Sequence, residues 1–214
     1  MAIDFYCGSG SPYAWRVWLA LEHKALPYTL KMQSFSAGDL KKPEYLALNP
    51  RGKVPVIVDQ GLAVYESAAI LEYLDDAHPK SGQRLFPADV RPRTTARRMV
   101  READEYLAHA MEGLVEEILF KKPAEWDAAA IAKARDSFVK ELNHFERALS
   151  GDFLAGAVGA ADFTVYPMLA LALRMETKKP DLGVRAALGS KLTAWMRRIE
   201  ALPFYSKTYP PHWK

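Results

Sequence analysis

"VPVIVDQGLAVYESAAILEYL", residues 54–74, carries three element signals in one short stretch. Val54 to Val58 is an apolar, β-branched run, and Leu62 to Tyr65 is a second one. Asp59-Gln60-Gly61 between them has the composition of a hairpin turn, so the two runs read as neighbouring strands. A helical spacing then runs from Ser67 to Asp76, with Ile70, Leu71 and Leu74 on one face and Ser67 at the N-cap position. The stretch is a β-β-α unit.

Toward the N-terminus the pattern is β-α-β. Ala2 to Tyr6 reads as a strand, Pro12 to His23 as a helix (Trp15, Trp18, Leu19 and Glu22 recur at helical spacing), and Tyr28 to Met32 as a second strand. An irregular stretch separates this from the β-β-α unit, and together they predict a small mixed sheet with helices packed on it. Residues 79–92 carry Pro79, Gly82, Pro87 and Pro92, with only Leu85 and Phe86 as apolar anchors, and read as a linker. Beyond it the chain is helical: Arg93 to Leu119, Asp127 to Ser150 with Asp127 as cap, Ala160 to Met175, and Ser190 to Ala201 with Ser190 as cap and Pro203 as stop. The third of these is apolar on all sides, which predicts full burial. The tail from Phe204 onward is aromatic and irregular. The expected domains are residues 1–78 (α/β), a linker over 79–92, and an all-helical domain over 93–214.

Composition narrows the class. The 214 residues are 50% hydrophobic and 26% charged, ordinary for a globular protein with a sizeable core. A net charge of +3 gives no reason to expect nucleic acid or membrane as a partner. Arg93, Arg97 and Arg101 form a stripe with Arg98 beside it, but Glu102, Asp104 and Glu105 interrupt the basic patch. The single cysteine, Cys7, allows no internal disulfide and suits a reducing cytoplasm. The N-terminus enters a strand pattern directly, so no signal peptide is expected, and no run approaches the roughly 20 apolar residues of a membrane span. The five histidines (His23, His78, His109, His144, His212) pair with no Cys, Asp or Glu at metal-site spacing, so no metal is expected.

Three motifs carry chemistry. "CGSGSP", residues 7–12, puts four small residues before Ser11 at a helix N-cap and Pro12 at the first helical position. As structure this is a cap. As function, the backbone N–H groups and positive helix end suit an anion or a thiolate. Val54-Pro55 begins a strand, and a cis bond there would turn the Val54 backbone groups toward an extended ligand. Glu66-Ser67 opens a helix, where a serine hydroxyl and N–H groups can hold a carboxylate while Glu66 takes an ammonium, a pairing that suits an α-amino acid head group.

In this order, ahead of a helical second domain, the motifs resemble the cytosolic glutathione transferases of bacterial serine type, over the full chain. The resemblance implies a thioredoxin-like N-terminal domain that binds glutathione as co-substrate, and a helical bundle domain that holds a hydrophobic small molecule. Ser11 of Ser11-Pro12-Tyr13-Ala14 falls at the place of the family's catalytic residue, where it would donate to the glutathione thiolate. Ser9 competes for that role, while Tyr6 and Cys7 are less well placed. Val54-Pro55 matches the cis-proline motif and Glu66-Ser67 the γ-glutamyl clamp, and Lys42 and Lys53 are both candidates for the glycyl carboxylate. Gly159 and Asp162 match a buried-helix capping motif with glycine at the cap. Tyr13, Tyr106, Met111, Phe120, Tyr166 and Trp213 are candidates for the hydrophobic site. The resemblance also implies a cytoplasmic, detoxifying homodimer, with the arginine stripe facing the second subunit. Serine at position 11 excludes a mixed disulfide there. It leaves conjugation as the leading reaction, with isomerisation, peroxide reduction or binding without turnover as alternatives.

Overall fold

The computed structural model describes residues 2–213. The chain divides into two compact units, one running from the N-terminus to Asp89 and including Leu202 onward, the other Val90–Ala201. In the first unit, β1 (Ile3–Gly8), α1 (Pro12–His23) and β2 (Tyr28–Gln33) form the β-α-β half. A short helical turn, α2 (Pro43–Leu46), lies in the irregular stretch, followed by β3 (Val56–Asp59), β4 (Leu62–Tyr65) and α3 (Ser67–Ala77). The sheet order is β2-β1-β3-β4, with β1 parallel to β2 and β3 antiparallel to both β1 and β4. This is the thioredoxin-like arrangement. Phe5, Val17, Leu21, Val56, Ile57, Ile70 and Leu74 form its core, all fully buried.

Of the residues 79–92 expected to link the domains, 79–89 are docked on the first unit and 90–92 open the first helix of the second. Lys24, buried at the end of α1, donates from Nζ to Asp75 Oδ1 at 3.1 Å. Asp75 also accepts from the N–H groups of Leu85 (2.9 Å) and Phe86 (3.3 Å), and both side chains are buried. Gly82, at φ +53°, passes so close to the Lys24 backbone that a Cβ would collide with it. One carboxylate thus joins α1, α3 and the 79–89 segment, so that segment is part of the α/β unit.

The tail is a second correction. Expected in the helical domain, residues 202–213 belong to the first unit, with one helical turn, α9 (Tyr205–Thr208). The Trp15 indole donates to Thr208 Oγ1 at 3.1 Å and packs edge-on against Tyr209 and Trp213. Indole and phenol rings bury large areas, which outweighs the weak local helix signal of the tail.

In the second unit, α4 (Val90–Glu102) continues through a wider π turn at Ala103–Leu107 into α5 (Ala108–Ile118), where the spacing predicted one regular helix. In α6 (Ala128–Ala148), the Asp127 carboxylate caps the N–H groups of Ala129 and Ala130 at 2.8 and 3.1 Å. α7 (Ala160–Met175) is buried along nearly its whole length, as its composition requires. The first residue of α8 (Ser190–Glu200) is Ser190, and Gly189 is at the cap without a side chain to offer. Glu146 of α6 supplies the missing acceptor, taking the N–H groups of Lys191 (3.1 Å) and Leu192 (2.8 Å).

Asp162 is the polar centre of this unit. It is fully buried and accepts from Leu154 N (2.9 Å), Gly159 N (3.0 Å) and the Trp195 indole (2.7 Å). Gly159 has no side chain to complete a capping box, so the carboxylate ties the loop to α7 and α8, and Arg198 of α8 adds an ion pair to Asp152 of the loop at 3.1 Å.

Three stability predictions rest on these carboxylates. Asp75→Ala leaves Lys24 as an uncompensated buried cation and should cost about 3–5 kcal/mol in urea unfolding. Asp162→Ala orphans three buried donors and should cost about 3 kcal/mol or more. Burial pushes the Asp162 carboxyl up to about 6, above its unfolded value, despite the opposing pull of its three donors. The native state therefore holds this proton more tightly than the unfolded chain. That contribution is complete below the unfolded pKa and is lost as pH rises through about 6. The stability of the wild type relative to Asp162→Asn should accordingly fall between pH 4 and pH 7, as read by urea titrations at each pH.

Candidate active site

The register of the sheet gathers the three motifs at one end. Tyr6 of β1 pairs with Val56, and Val56 pairs with Tyr65 of β4. Just beyond these pairs lie the Cys7–Ser11 loop, Val54-Pro55, and Glu66-Ser67. Helices α1 and α3 both begin there, so two positive helix ends share the site.

Ser11 adopts extended backbone angles (φ −70°, ψ 120°) and caps α1, its Oγ accepting from Ala14 N at 3.3 Å. Pro12 takes the first helical position, where no N–H is needed. The loop turns through Gly10 at φ +80° and closes with Ser11 N donating to the Gly8 carbonyl at 3.1 Å. The cap uses a lone pair of the Ser11 oxygen. Among the described residues nothing accepts the Ser11 proton. Ser9 is differently placed: its Oγ lies 2.6 Å from His212 Nδ1. Cys7 is 1% exposed and burial pushes its thiol up to about 12, so it offers no thiolate. Tyr6 is occupied by ring contacts with Tyr45 and the Lys31 ammonium.

The Val54-Pro55 bond is cis. Gly8 faces this turn so closely that a Cβ on it would lie 2.9 Å from the Val54 side chain. The carbonyl just before Val54 is held rigidly, since Lys53 O accepts from the Tyr45 hydroxyl (2.8 Å) and from Asn49 Nδ2 (2.7 Å). The N–H and C=O of Val54 itself enter no hydrogen bond among the described residues. An extended ligand can pair with both.

Glu66, and not Ser67 as the spacing suggested, is the N-cap of α3, with φ +67° and its carbonyl accepting from Ile70 N at 2.9 Å. Ser67 is the first helical residue and is 7% exposed. The left-handed turn at Glu66 is an uncommon conformation for a residue with a Cβ, and such backbone outliers concentrate where ligands bind. The Glu66 side chain is exposed, with only a loose contact to Arg51 at 3.9 Å. Of the two lysine candidates, Lys42 is paired with Asp39 at 2.7 Å, which raises its pKa, whereas Lys53 flanks Val54 directly.

Of the six residues proposed for the hydrophobic site, Tyr13 and Trp213 lie in the first unit and the other four in the second. Tyr13 lies in the first turn of α1 beneath the Arg16 guanidinium, 5.5 Å from its ring centre. Met111 and Tyr166 are part of the helical core, with the Tyr166 hydroxyl donating to Glu200 at 3.1 Å. Trp213 belongs to the ring cluster on Trp15. Tyr106 and Phe120 are exposed, and Tyr106 lines a 450 Å³ groove between α5 and α6 together with Glu105, His109, Lys133 and Lys140. Sequence reasoning missed His212, because the 203 residues separating it from Ser9 leave no local pattern that links them. The aromatic density of the tail was the available signal.

Residues 10–77 match the model described as "Glutathione S-transferase, N-terminal domain", and residues 128–198 match "Glutathione S-transferase, C-terminal domain". Glutathione S-transferase A of Pleuronectes platessa is 29% identical over 211 residues, 96% of this chain and 90% of the relative. Glutathione S-transferase hmp2 of Hypomyces subiculosus is 37% identical over 156 residues, 70% of this chain and 72% of the relative. Among solved structures, poplar glutathione transferase F1 superposes with a TM-score of 0.84 at 27% identity, covering 97% of this chain and 96% of that one. A glutathione S-transferase from the Antarctic clam Laternula elliptica gives 0.79 at 30% identity, covering 100% and 94%. A two-part match at this coverage, on a thioredoxin-like unit and a helical unit, means that the chain belongs to the glutathione S-transferase family.

Proposed function

We propose that this chain is a glutathione transferase that binds glutathione along the gathered end of the sheet and holds its sulfur as a thiolate at Ser11. The observation that carries this is the division of labour at Ser11. Its oxygen caps α1 through a lone pair while its proton has no acceptor among the described residues. The γ-glutamyl head group is assigned to Glu66, Ser67 and the N-terminus of α3. The cysteinyl backbone is assigned to the N–H and C=O of Val54, and the glycyl carboxylate to Lys53, with Lys42 as the second candidate. A hydrophobic electrophile is the second substrate.

The energetics suffice. A free thiol with a pKa near 8.5 is only a few per cent ionised at neutral pH, and lowering that by about two units requires about 2.7 kcal/mol. A hydrogen bond to a charged acceptor contributes about 1.5–3 kcal/mol, and the end of α1 adds about 0.3–1 kcal/mol. Ser11 therefore acts as a donor to the nucleophile and does not attack. Sulfur forms the new bond to the electrophile, and the bond to the leaving group breaks.

Family membership supports a cytoplasmic, detoxifying homodimer, and the stripe of Arg93, Arg97 and Arg101 on α4 is the surface assigned to its two-fold contact. Sedimentation should give a single species of twice the chain mass.

Ser11→Ala should lower kcat/KM about 100-fold and abolish the ultraviolet absorbance of bound thiolate at neutral pH, with glutathione affinity changed less than about threefold. Glutathione bound with its full thiolate signal in that variant would overturn the assignment. Ser67→Ala should show the opposite split, raising KM for glutathione about tenfold with kcat nearly unchanged, because its partner is the remote carboxylate.

A further inference from the structure

The Ser9–His212 contact lies outside the glutathione contacts proposed above, and its geometry is tight. Ser9 Oγ and His212 Nδ1 are 2.6 Å apart, at the short end of hydrogen-bond distances. Ser9 sits between two glycines, the most freely rotating residues of the chain. A loop of that composition two residues before Ser11 would otherwise move the hydroxyl on which the thiolate depends.

The tail holds it still. A Cβ on Gly10 would lie 2.6 Å from His212 Cε1 and 3.2 Å from Trp213 Nε1, so the glycine admits the tail as well as the turn. Trp213 is 8% exposed, with its ring 5.5 Å from that of Trp15. Trp15 donates its backbone N–H to the Ser11 carbonyl at 2.9 Å and its indole to Thr208 at 3.1 Å. The space between Cys7–Ser11, Trp15, Trp18, Thr208 and Pro210 is only about 10 Å³, room for one water at most. Loop and tail are therefore packed together, with the Ser9–His212 hydrogen bond between them.

We propose that His212 is a positioning residue for the thiol site: by holding the Ser9 hydroxyl it fixes the Gly8–Gly10 turn and thereby presents the Ser11 hydroxyl, without itself touching sulfur. The tether holds in either tautomer, since Nδ1 can accept from the Ser9 hydroxyl or donate to it. It also commits Ser9 to the tail, which leaves Ser11 as the hydroxyl of this loop that serves the thiol. The proposal rests on the reading that Ser11 stabilises the thiolate.

The experiment measures the ionisation constant of bound glutathione from its thiolate absorbance across pH, with affinity measured by calorimetry. His212→Phe keeps a ring beside Trp213 and removes the hydrogen-bonding nitrogen. It should weaken ionisation about fivefold, the worth of one ordinary hydrogen bond, with affinity changed less than about twofold. His212→Asn places an amide near the Nδ1 position and should restore ionisation to within about twofold of wild type. Ser9→Ala should match His212→Phe, and the double variant should lose no more than either single one. An unchanged ionisation constant in His212→Phe overturns the proposal, as does a further loss when His212→Phe is added to Ser9→Ala. Ser11→Ala measured alongside separates the two readings. A loss there without one in His212→Phe removes only the role of the tail, whereas no loss in Ser11→Ala removes the thiolate assignment on which it rests.

Discussion

Strand β3 runs antiparallel to both of its neighbours, and the placement of the whole site follows from that constraint. The start of β3 comes to lie beside the ends of β1 and β4, so three segments far apart in sequence meet where the ladder stops. The first brings the Ser11 hydroxyl at the start of α1, and the other two bring backbone groups that pairing has not consumed: the N–H and C=O of Val54, and the first N–H groups of α3. A one-residue slip of β3 would reverse the facing of Val56 and Ile57, both fully buried. The same burial that stabilises the sheet thus sets which residues reach the site.

Within that frame the serine has two compatible duties. A hydroxyl has one proton and two lone pairs, so accepting from Ala14 N leaves the proton for another acceptor. Capping fixes the oxygen at the positive end of α1, which is also where an anion gains most from the helix dipole. The structural role of Ser11 and the chemical role proposed for it therefore reinforce each other. Removing the hydroxyl is expected to act on both, and the ionisation of bound thiol is the readout that separates them.

Much of this was legible in the sequence because it is local. The bounds of α1 and α7 follow from a Ser-Pro start and from a nearly all-apolar run, and Asp127 caps α6 as its position suggests. Most of the misreadings share a cause, namely contacts between residues distant in sequence. Ser190 is not the cap of α8 because Glu146, 44 positions earlier, already satisfies the first N–H groups of that helix. Residues 79–89 look like a linker until the Asp75 carboxylate takes the Leu85 and Phe86 amides. The tail has no helical or strand periodicity to betray its place, and long-range contacts, among them the rings on Trp15, the Lys207–Glu22 ion pair and the imidazole on Ser9, assign it to the α/β unit. Glu66 displaces Ser67 as the cap of α3 because its backbone turns left-handed, a conformation that residue type alone does not announce.

The contrast between Cys7 and Ser11 bears on the kind of chemistry such a loop can support. Both lie within a few residues of the helix end that favours a thiolate, yet the cysteine is at the end of β1 with its side chain buried in the core. Burial there raises its pKa to about 12, far from any useful ionisation at neutral pH. The protein's own sulfur is withdrawn from reaction, and the position at the helix end carries an oxygen that donates a hydrogen bond but forms no disulfide. A thiol brought to this place by a ligand would be activated without being captured. That arrangement favours transfer of the thiol to an electrophile over exchange with the protein.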